Sequence, residues 1–386
     1  MPGRLPSPLQ GPLIMAPPRK QITIGFPVFA VAFTPFKPKL LLGGGGGPTR
    51  AGVKNAMLMY EIDPQTLDLK PVAEQRFGNA DDGCMSIAIH PKEKTFVAGV
   101  NSPQEHVASG RNQNCRVFVL KKGHFVPRQT HKTLDSLETI HYQKVCKFSP
   151  DGNLLVTGTT DGKLSLWMWP DFRLAVPAID HKGEIADADF DSSSQQMVSI
   201  TDKTCFVSDT ATGKTLWSIQ DPVMSKTIKS SFRAARFGVM VSEGYLFLVI
   251  NAKDRKRAFI CKWQTQGWKL HRQKAIGHKP VTAFSISDNG ALLAFGAADL
   301  SVTILSATGL QTIYRVANAH GFPATAMAFS PDSRMLVSAS ADGSCHVAVV
   351  PTRAGSWLLL PIWLAVAFVV ALIAYLLLLE EDGAEL

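Results

Sequence analysis

The sequence has few cysteines, and none of them is close enough to another for a local metal site. Its six cysteines are at least 31 residues apart, so there is no CxxC pair. Zinc-binding domains and small disulfide-stapled scaffolds both depend on closely spaced cysteines. The sequence therefore excludes both classes and predicts free, buried thiols in a reducing compartment.

Charged residues are also scarce, and the C-terminal end of the chain has no Lys or Arg. Charged residues make up 18% of the chain, below the roughly 25% usual for soluble domains. Hydrophobic residues at 46% exclude disorder over the whole length. No Lys or Arg follows Arg353, and residues 354–379 contain no charge at all. This run predicts a transmembrane helix, followed at 380–386 by a short acidic tail.

Cations flank the predicted span on its N-terminal side only. Residues 1–353 hold all 40 Lys and Arg against 27 Asp and Glu, a net charge of +13. Because Lys and Arg favour the cytosolic side of a membrane, we expect residues 21–353 to form a cytosolic domain and the tail to be lumenal. The same charge suits the anionic cytosolic leaflet. Residues 1–20 hold six prolines and no long apolar run, which predicts a disordered leader and not a signal peptide; Met15 is an alternative start.

Internal repeats occupy residues 21–353. The segments 144–167 and 325–348 share a strand, a Ser-Pro-Asp turn, a second strand, an Asp-Gly turn and a third strand. The residues that end the first strand of each unit are 42 to 59 positions apart, and there are seven of them: Phe33, Ile89, Phe148, Phe190, Phe237, Phe284 and Phe329. Repeats of about 40–45 residues are typical of WD-repeat blades. The sequence therefore predicts an all-β, seven-bladed β-propeller, with a polar insertion loop at 102–114.

The repeats resemble the WD-repeat family, although its Trp-Asp pair is absent and Leu166-Trp167 is the nearest match. The histidine that precedes a strand in that family is matched by His181, His278 and His320. The resemblance implies that these side chains brace their blades through turn residues such as Asp161 or Asp342. No nucleophile is paired with a base, so the sequence predicts neither covalent catalysis nor a small-molecule substrate.

A run of glycines goes beyond what a propeller turn needs. Five glycines, 43–47, precede Pro48-Thr49-Arg50-Ala51-Gly52-Val53-Lys54-Asn55. Each glycine in an ordered segment costs about 1 kcal/mol of stability relative to Ala, because glycine loses more conformational entropy. The run is therefore expected to have a function. The segment 43–55 has neither the G-x-G-x-x-G pattern nor the Lys-Ser or Lys-Thr pair that ends a P-loop. Bare glycines can instead turn carbonyls onto a cation or let another protein approach closely. A flexible surface loop is the remaining alternative.

The predicted first blade resembles that of a known family. It combines Phe26-Pro27, a strand ending in Phe33, a Leu-rich strand, the glycine run and Gly52-Val53-Lys54-Asn55. These features are similar to the endoplasmic-reticulum guanine nucleotide-exchange factors for the Sar-type small GTPase, the prolactin regulatory element-binding protein family. The resemblance covers about residues 21–380. It implies a cytosolic seven-bladed propeller and one C-terminal span in the endoplasmic reticulum membrane.

The resemblance also implies which residues act. Asn55 and Val53 would act on the nucleotide site of the GTPase. A potassium ion would be held by the loop backbone and one side chain: Gly43, Gly44, Gly45, Gly46 and Asn55. The remaining loop residues would contact the GTPase: Gly47, Pro48, Thr49, Arg50, Gly52 and Lys54.

The implied function is GDP release and GTP loading on a Sar-type GTPase, which would start COPII coat assembly and vesicle budding from the endoplasmic reticulum to the Golgi. Exchange needs no covalent chemistry, because the factor stabilises the nucleotide-free GTPase. The alternative is a non-catalytic, membrane-tethered WD-repeat scaffold whose glycine run is a linker. Nucleic-acid binding is disfavoured, because the only basic run is 253–257 and a membrane anchor holds the domain away from DNA.

Overall fold

The regular secondary structure in the described part of the chain is almost entirely β-strand. The structure, a computed structural model, describes residues 17–35, 37–48, 52–220, 222 and 228–351. Within these ranges, no helix is both long enough and apolar enough to cross a membrane. The predicted span at 354–379, the tail at 380–386 and most of the predicted leader lie outside the described residues.

Antiparallel strands form seven sheets, which are the blades of a propeller. The first strand, β1 (Arg19–Thr23), belongs to the last blade. Blade 1 consists of β2 (Val28–Phe33), β3 (Leu40–Gly44), β4 (Ala56–Ile62) and β5 (Leu69–Arg76). Blade 2 consists of β6 (Ser86–Ile89), β7 (Thr95–Gly99), β8 (Cys115–Lys121) and β9 (His124–His131). Blade 3 consists of β10 (Gln143–Phe148), β11 (Leu154–Thr159), β12 (Lys163–Met168), β13 (Arg173–Leu174) and β14 (Ile179–Asp180).

The remaining blades repeat the same order. Blade 4 consists of β15 (Asp187–Phe190), β16 (Gln196–Ile200), β17 (Thr204–Asp209) and β18 (Thr215–Gln220). Blade 5 consists of β19 (Ser230–Phe237), β20 (Tyr245–Ala252), β21 (Ala258–Gln264) and β22 (Lys269–Gly277). Blade 6 consists of β23 (Val281–Ile286), β24 (Leu292–Ala297), β25 (Val302–Ser306) and β26 (Thr312–Val316). Blade 7 consists of β27 (Ala324–Phe329), β28 (Met335–Ser340) and β29 (Ser344–Val349), completed by β1.

The predicted seven-bladed propeller is confirmed, and its blade count was already visible in the repeat spacing. Each of the seven marker residues lies in the first strand of a different blade. The seven first strands contact one another in a closed ring around a central channel. Hydrophobic clusters fill the space between each pair of neighbouring blades. The alternating apolar residues of each strand therefore serve two interfaces, one on each side of the blade.

The ring closes through the N-terminal strand. In register, β1 pairs with β29, with Ile22 opposite Cys345 and Arg19 opposite Ala348. β1 begins two residues before residue 21, where the sequence places the start of the propeller, and the compact unit that holds all seven sheets ends at Val350. Because β1 supplies the fourth strand of blade 7, the two ends of the propeller hold each other.

The propeller has two faces, each defined by its turns. The glycine-loop face carries the turns between second and third strands, including residues 45–55, and the connections from each blade to the next. The terminal face carries the turns between first and second strands and between third and fourth strands. Val349 N–H donates to Pro18 (2.9 Å) and Val350 N–H donates to Arg334 (2.8 Å) on the terminal face, so the described chain both starts and ends there.

The insertion at 102–114 contains a short helix, α1 (Gln104–Ala108), where the sequence predicted only a loop. Val107 is fully buried, which supplies an apolar anchor that the polar sequence around it conceals. Asn112 fixes the insertion from within, since its side chain accepts from the Ser102 N–H (2.9 Å) and donates to Asn101 (3.1 Å). A 3₁₀ turn at Met240–Ser242 lies between β19 and β20.

The bracing role expected of the histidines is confirmed for His320, with different partners. Its two ring nitrogens bond the hydroxyls of Ser344 (2.7 Å) and Ser338 (2.8 Å). Asp342, the predicted partner, instead accepts from the Gly321 N–H (2.5 Å). His181 bonds Ser199 (3.2 Å), whereas no such bond is present for His278 among the described residues.

Candidate functional site

The glycine run begins inside a strand, where it lets three chain segments pack closely. Gly43 and Gly44 are the last residues of β3, the second strand of blade 1, and both are buried. A Cβ on Gly44 would overlap the carbonyl oxygen of Pro27, and one on Gly43 would lie 2.7 Å from the Cys84 sulfur. These two glycines are therefore needed for packing, because backbone and a buried side chain occupy the space that a larger residue would fill.

Gly45 and Gly47 turn the chain out of β3 into the loop. Gly45 has a φ of +151° and Gly47 a φ of +74°, values that L-residues with a side chain rarely adopt. A Cβ on Gly45 would also overlap the Oδ1 atom of Asn55. The Gly45 N–H donates to Pro27 (2.9 Å), which fixes the point where the loop leaves the strand.

Asn55 closes the loop from its other end. Its side chain is 3% exposed, and both of its polar atoms are used. Oδ1 accepts from the Gly47 N–H (2.9 Å), and Nδ2 donates to the Asp81 carbonyl (2.8 Å). Its own carbonyl accepts from the Phe77 N–H (2.8 Å). The loop is thus a braced structure whose two ends are joined by one amide side chain.

An ion pair from blade 2 supports this brace from behind. Arg116, on β8, donates two parallel hydrogen bonds of 2.9 Å to the carboxylate of Asp81. The two side chains are 16% and 13% exposed, and the Arg116 guanidinium also lies over the Phe77 ring at 5.6 Å. Bidentate pairs of this kind hold their geometry well. Arg116 therefore fixes Asp81, whose carbonyl in turn holds Asn55.

The other predicted loop residues are placed as follows. Val53 is half-buried and packs on the hydrophobic cluster between blades 7 and 1. Lys54 is exposed and pairs with Glu74 at 3.4 Å, and Gly52 has a φ of +87° with open space around it. Pro48 is an exposed turn residue. Thr49 and Arg50 lie outside the described residues.

The oxygens at the base of the loop are of the kind that hard cations bind. Asn55 places its amide Oδ1 here, and the Asp82 carboxylate lies beside Gly47. Burial first, and then the neighbouring Asp81, raise the pKa of Asp82 above its usual value. Gly43 and Gly44 fit this role less well, because β3 pairs with strands on both sides and the Gly44 carbonyl accepts from the Cys84 N–H (3.2 Å).

The cation-binding set of Gly43, Gly44, Gly45, Gly46 and Asn55 stays a prediction, and the structure shows that the Gly44 carbonyl already accepts a hydrogen bond. Across the described ranges, no group of three or more His, Cys, Asp or Glu side chains is placed to hold a metal ion. A cation at the loop would therefore depend mainly on backbone and amide oxygens, which suits a weakly held monovalent ion better than zinc.

Three exposed hydrophobic side chains share the glycine-loop face. Ile140 is 71% exposed and Leu137 is 55% exposed, both between blades 2 and 3, and Phe322 is 58% exposed between blades 6 and 7. Exposed apolar groups of this size often mark a protein–protein contact. The sequence interpretation missed them, because nothing in a local pattern tells which connection residues remain uncovered.

Ion pairs link neighbouring elements around the central channel. It has a volume of about 640 Å³ and is lined by the first strands of all seven blades. Arg236 pairs with Asp187, and Lys144 pairs with Glu184. The first pair joins blades 5 and 4, and the second joins blade 3 to the connection that leads into blade 4. These charges therefore stabilise the ring itself.

The cysteines are free thiols, as the sequence predicts. All six are unpaired, and all but Cys146 are buried. Burial raises the pKa of Cys84, which lies against Gly43, to about 12. These thiols are therefore neutral packing groups at physiological pH.

Comparison with known proteins agrees with this architecture. The family model "WD domain, G-beta repeat" matches residues 138–168 and 311–347. SEC12-like protein 2 of Arabidopsis thaliana is 28% identical over 79% of this chain and 74% of its own length. The guanine nucleotide-exchange factor SEC12 of Mus musculus is 25% identical over 93% of this chain and 96% of its own length. The protein of the same name from Candida glabrata is 25% identical over 86% of this chain. With its seven blades, its two WD-repeat matches and this similarity along most of its length, the chain resembles the SEC12 proteins.

Proposed function

We propose that this chain is a guanine nucleotide-exchange factor that promotes GDP release from a small GTPase. The observation that carries the proposal is the braced glycine loop at 45–55, displayed at one face of a propeller that aligns along almost its whole length with exchange factors named SEC12. A factor of this kind speeds exchange by binding the nucleotide-free GTPase more tightly than the GDP-bound form.

The loop suits this role because its two ends are held together before the partner arrives. Asn55 ties Gly47 to Asp81, so little conformational entropy is lost when the loop enters a partner's site. Glycines 45–47 carry no side chain, which lets a partner's backbone approach closely. Leu137, Ile140 and Phe322 extend the contact area on the same face.

The proposal extends to the identity of the partner and of the membrane. The GTPase would be of the Sar type, the site of action would be the endoplasmic reticulum, and the product would be the GTP-loaded form that starts COPII assembly. The predicted span at 354–379 would confine the reaction to that membrane. Extraction of the full chain from cells with carbonate tests the span: the full chain should stay with the membrane pellet, and a chain ending at 353 should not.

Potassium belongs to the same proposal. Gly45, Gly46 and Asn55 would hold the ion, which would neutralise oxygens that otherwise repel one another at the base of the loop. Replacing potassium with sodium in an exchange assay should then slow GDP release. An equal rate in both salts would remove potassium from the mechanism while leaving the rest of the proposal in place.

The central test is the rate of GDP release from a purified Sar-type GTPase with residues 1–351 added. We expect wild type to accelerate release. The variant Ile140→Ser/Phe322→Ser should lose most of this effect, since its two positions lie on the glycine-loop face. A matched control, Met240→Ser/Val241→Ser, alters two side chains of similar exposure (69% and 68%) on the terminal face and should behave as wild type. No acceleration by wild type would leave the non-catalytic scaffold as the function.

A further inference from the structure

The turns on the terminal face divide sharply by charge. In blades 1 and 2, the turns between first and second strands contain four lysines and one acid: Lys37, Lys39, Lys92, Lys94 and Glu93. In blades 3 to 6, the equivalent turns contain four acids and no Lys or Arg: Asp151, Asp191, Glu243 and Asp288. Because equivalent turns lie on the same face, one side of this face is basic and the other acidic.

Blade 2 concentrates the positive charge. Its first turn holds Lys92 and Lys94, and its outer turn holds Lys121 and Lys122. The Leu120 N–H donates to the Lys94 carbonyl (3.0 Å), which brings the two turns together. All four lysines are exposed, and none of them forms an ion pair with the residues that the structure describes.

The neighbouring blades extend the basic side. Lys37 in blade 1, and Arg19 and Arg334 in blade 7, are exposed. Two acids of this sector are paired within the propeller, Asp68 with Lys20 and Asp63 with Lys70. Glu93 and Asp332 are exposed in the same turns, and the cations outnumber them. The cations that remain form a continuous arc over blades 7, 1 and 2, which we call the basic arc: Arg19, Lys37, Lys92, Lys94, Lys121, Lys122 and Arg334.

We propose that the basic arc docks on an anionic lipid bilayer. Exposed cations at a fixed surface attract acidic headgroups without needing a shaped pocket. The chain also leaves blade 7 within the arc, where Val350 bonds Arg334. The span predicted at 354–379 follows this exit in the sequence. This second argument rests on the membrane location proposed above, whereas the charge distribution does not.

The glycine loop lies on the opposite face, so docking through the basic arc leaves it free for the GTPase. The acidic side of the terminal face, in blades 3 to 6, would be repelled by the same headgroups. Screening at cellular ionic strength limits these forces to about 8 Å, so only the side of the face that touches the bilayer contributes. The charge division therefore sets an orientation as well as an affinity.

The test uses residues 1–351, because β1 and β29 close the ring within this segment. Vesicles of phosphatidylcholine alone, or with one-fifth phosphatidylserine, are mixed with the protein and floated on a density gradient. The arc variant is Lys92→Gln/Lys94→Gln/Lys121→Gln/Lys122→Gln. The control is Lys253→Gln/Arg255→Gln/Lys256→Gln/Arg257→Gln, which removes four exposed cations from the glycine-loop face and gives the same net charge.

We expect wild type and the control to float with the phosphatidylserine vesicles only, and the arc variant to bind at least about tenfold more weakly. Equal losses in both variants, or no binding by wild type, would overturn the proposal. GDP release measured in solution without vesicles should be unchanged in the arc variant. A loss there would make the arc a contact for the protein partner instead, whereas failure of wild type in that assay alone would count against the exchange function and not against docking.

Discussion

The brace at the base of the glycine loop can be broken by one substitution, Asn55→Ala. The alanine would remove the acceptor of the Gly47 N–H and the donor to the Asp81 carbonyl. Both bonds are in a buried environment, since Asn55 is 3% exposed, so water does not replace them at once. We expect the loop to open while the propeller remains folded.

The magnitude follows from the two bonds. A neutral hydrogen bond contributes about 1 kcal/mol net, and a buried polar group left without a partner costs somewhat more. Loss of both bonds should therefore favour loop opening by about 2 to 3 kcal/mol. Because 1.4 kcal/mol is a factor of about ten, local opening should increase roughly 30- to 100-fold.

Hydrogen exchange at the Gly47 amide measures this opening directly, because that N–H is the group that Asn55 protects. Hydrogen exchange of the amides in the core strands should not change. GDP release from a Sar-type GTPase should be slower with Asn55→Ala than with wild type, in proportion to the fall in the braced fraction of loops. Asn153→Ala is the matched control, because Asn153 is an exposed turn residue whose amide bonds only a neighbouring carboxylate in the same turn.

Asn55→Asp separates the brace from a cation-ligand role. The aspartate keeps an oxygen for Gly47 or for a cation, but it cannot donate to the Asp81 carbonyl and adds a negative charge beside Asp81 and Asp82. We expect Asn55→Asp to be as defective as Asn55→Ala. Unchanged protection of Gly47 in Asn55→Ala, or full exchange activity in Asn55→Asp, would refute the reasoning.

Three further predictions follow from other contacts. Arg116→Ala should destabilise the propeller by about 3 kcal/mol in urea unfolding, since it leaves the buried Asp81 carboxylate unpaired, and Arg116→Ala/Asp81→Asn should recover part of this loss. Burial, with His320 and Arg19 nearby, lowers the pKa of His346 from 6.5 to about 4. The unfolded chain then binds the proton more readily, so stability should fall by about 3 kcal/mol between pH 6.5 and pH 4, and His346→Gln should flatten this slope. Ile22→Asp should weaken ring closure by about 2 kcal/mol, because Ile22 packs between blades 7 and 1.

Each of these has an outcome that would contradict it. Equal stability of Arg116→Ala and wild type would show that the ion pair does not support the loop. An acid slope that persists in His346→Gln would assign the loss to other groups. A midpoint unchanged in Ile22→Asp would mean that β1 is not needed to close the ring. Gln21→Asp, at an exposed position of the same strand, is its control.

The sequence by itself determined the architecture, because the signals of a propeller are local. Alternating apolar residues define each strand, Pro-Asp and Asp-Gly turns define its ends, and the period counts the blades. All seven markers therefore fell in seven different blades. The same local chemistry located the glycine loop between two strands of blade 1.

Only the tertiary structure decided how distant residues meet. β1 pairs with β29 across almost the whole chain, and Arg116 reaches the loop through Asp81 from another blade. Asn55 is predicted from the sequence to be a contact or ligand, and the fold shows in addition that it is a buried brace. His320 found serines in place of Asp342 for the same reason. Such pairings depend on which blades become neighbours and which turns share a face, and that information is spread over the closed ring and is absent from any single segment.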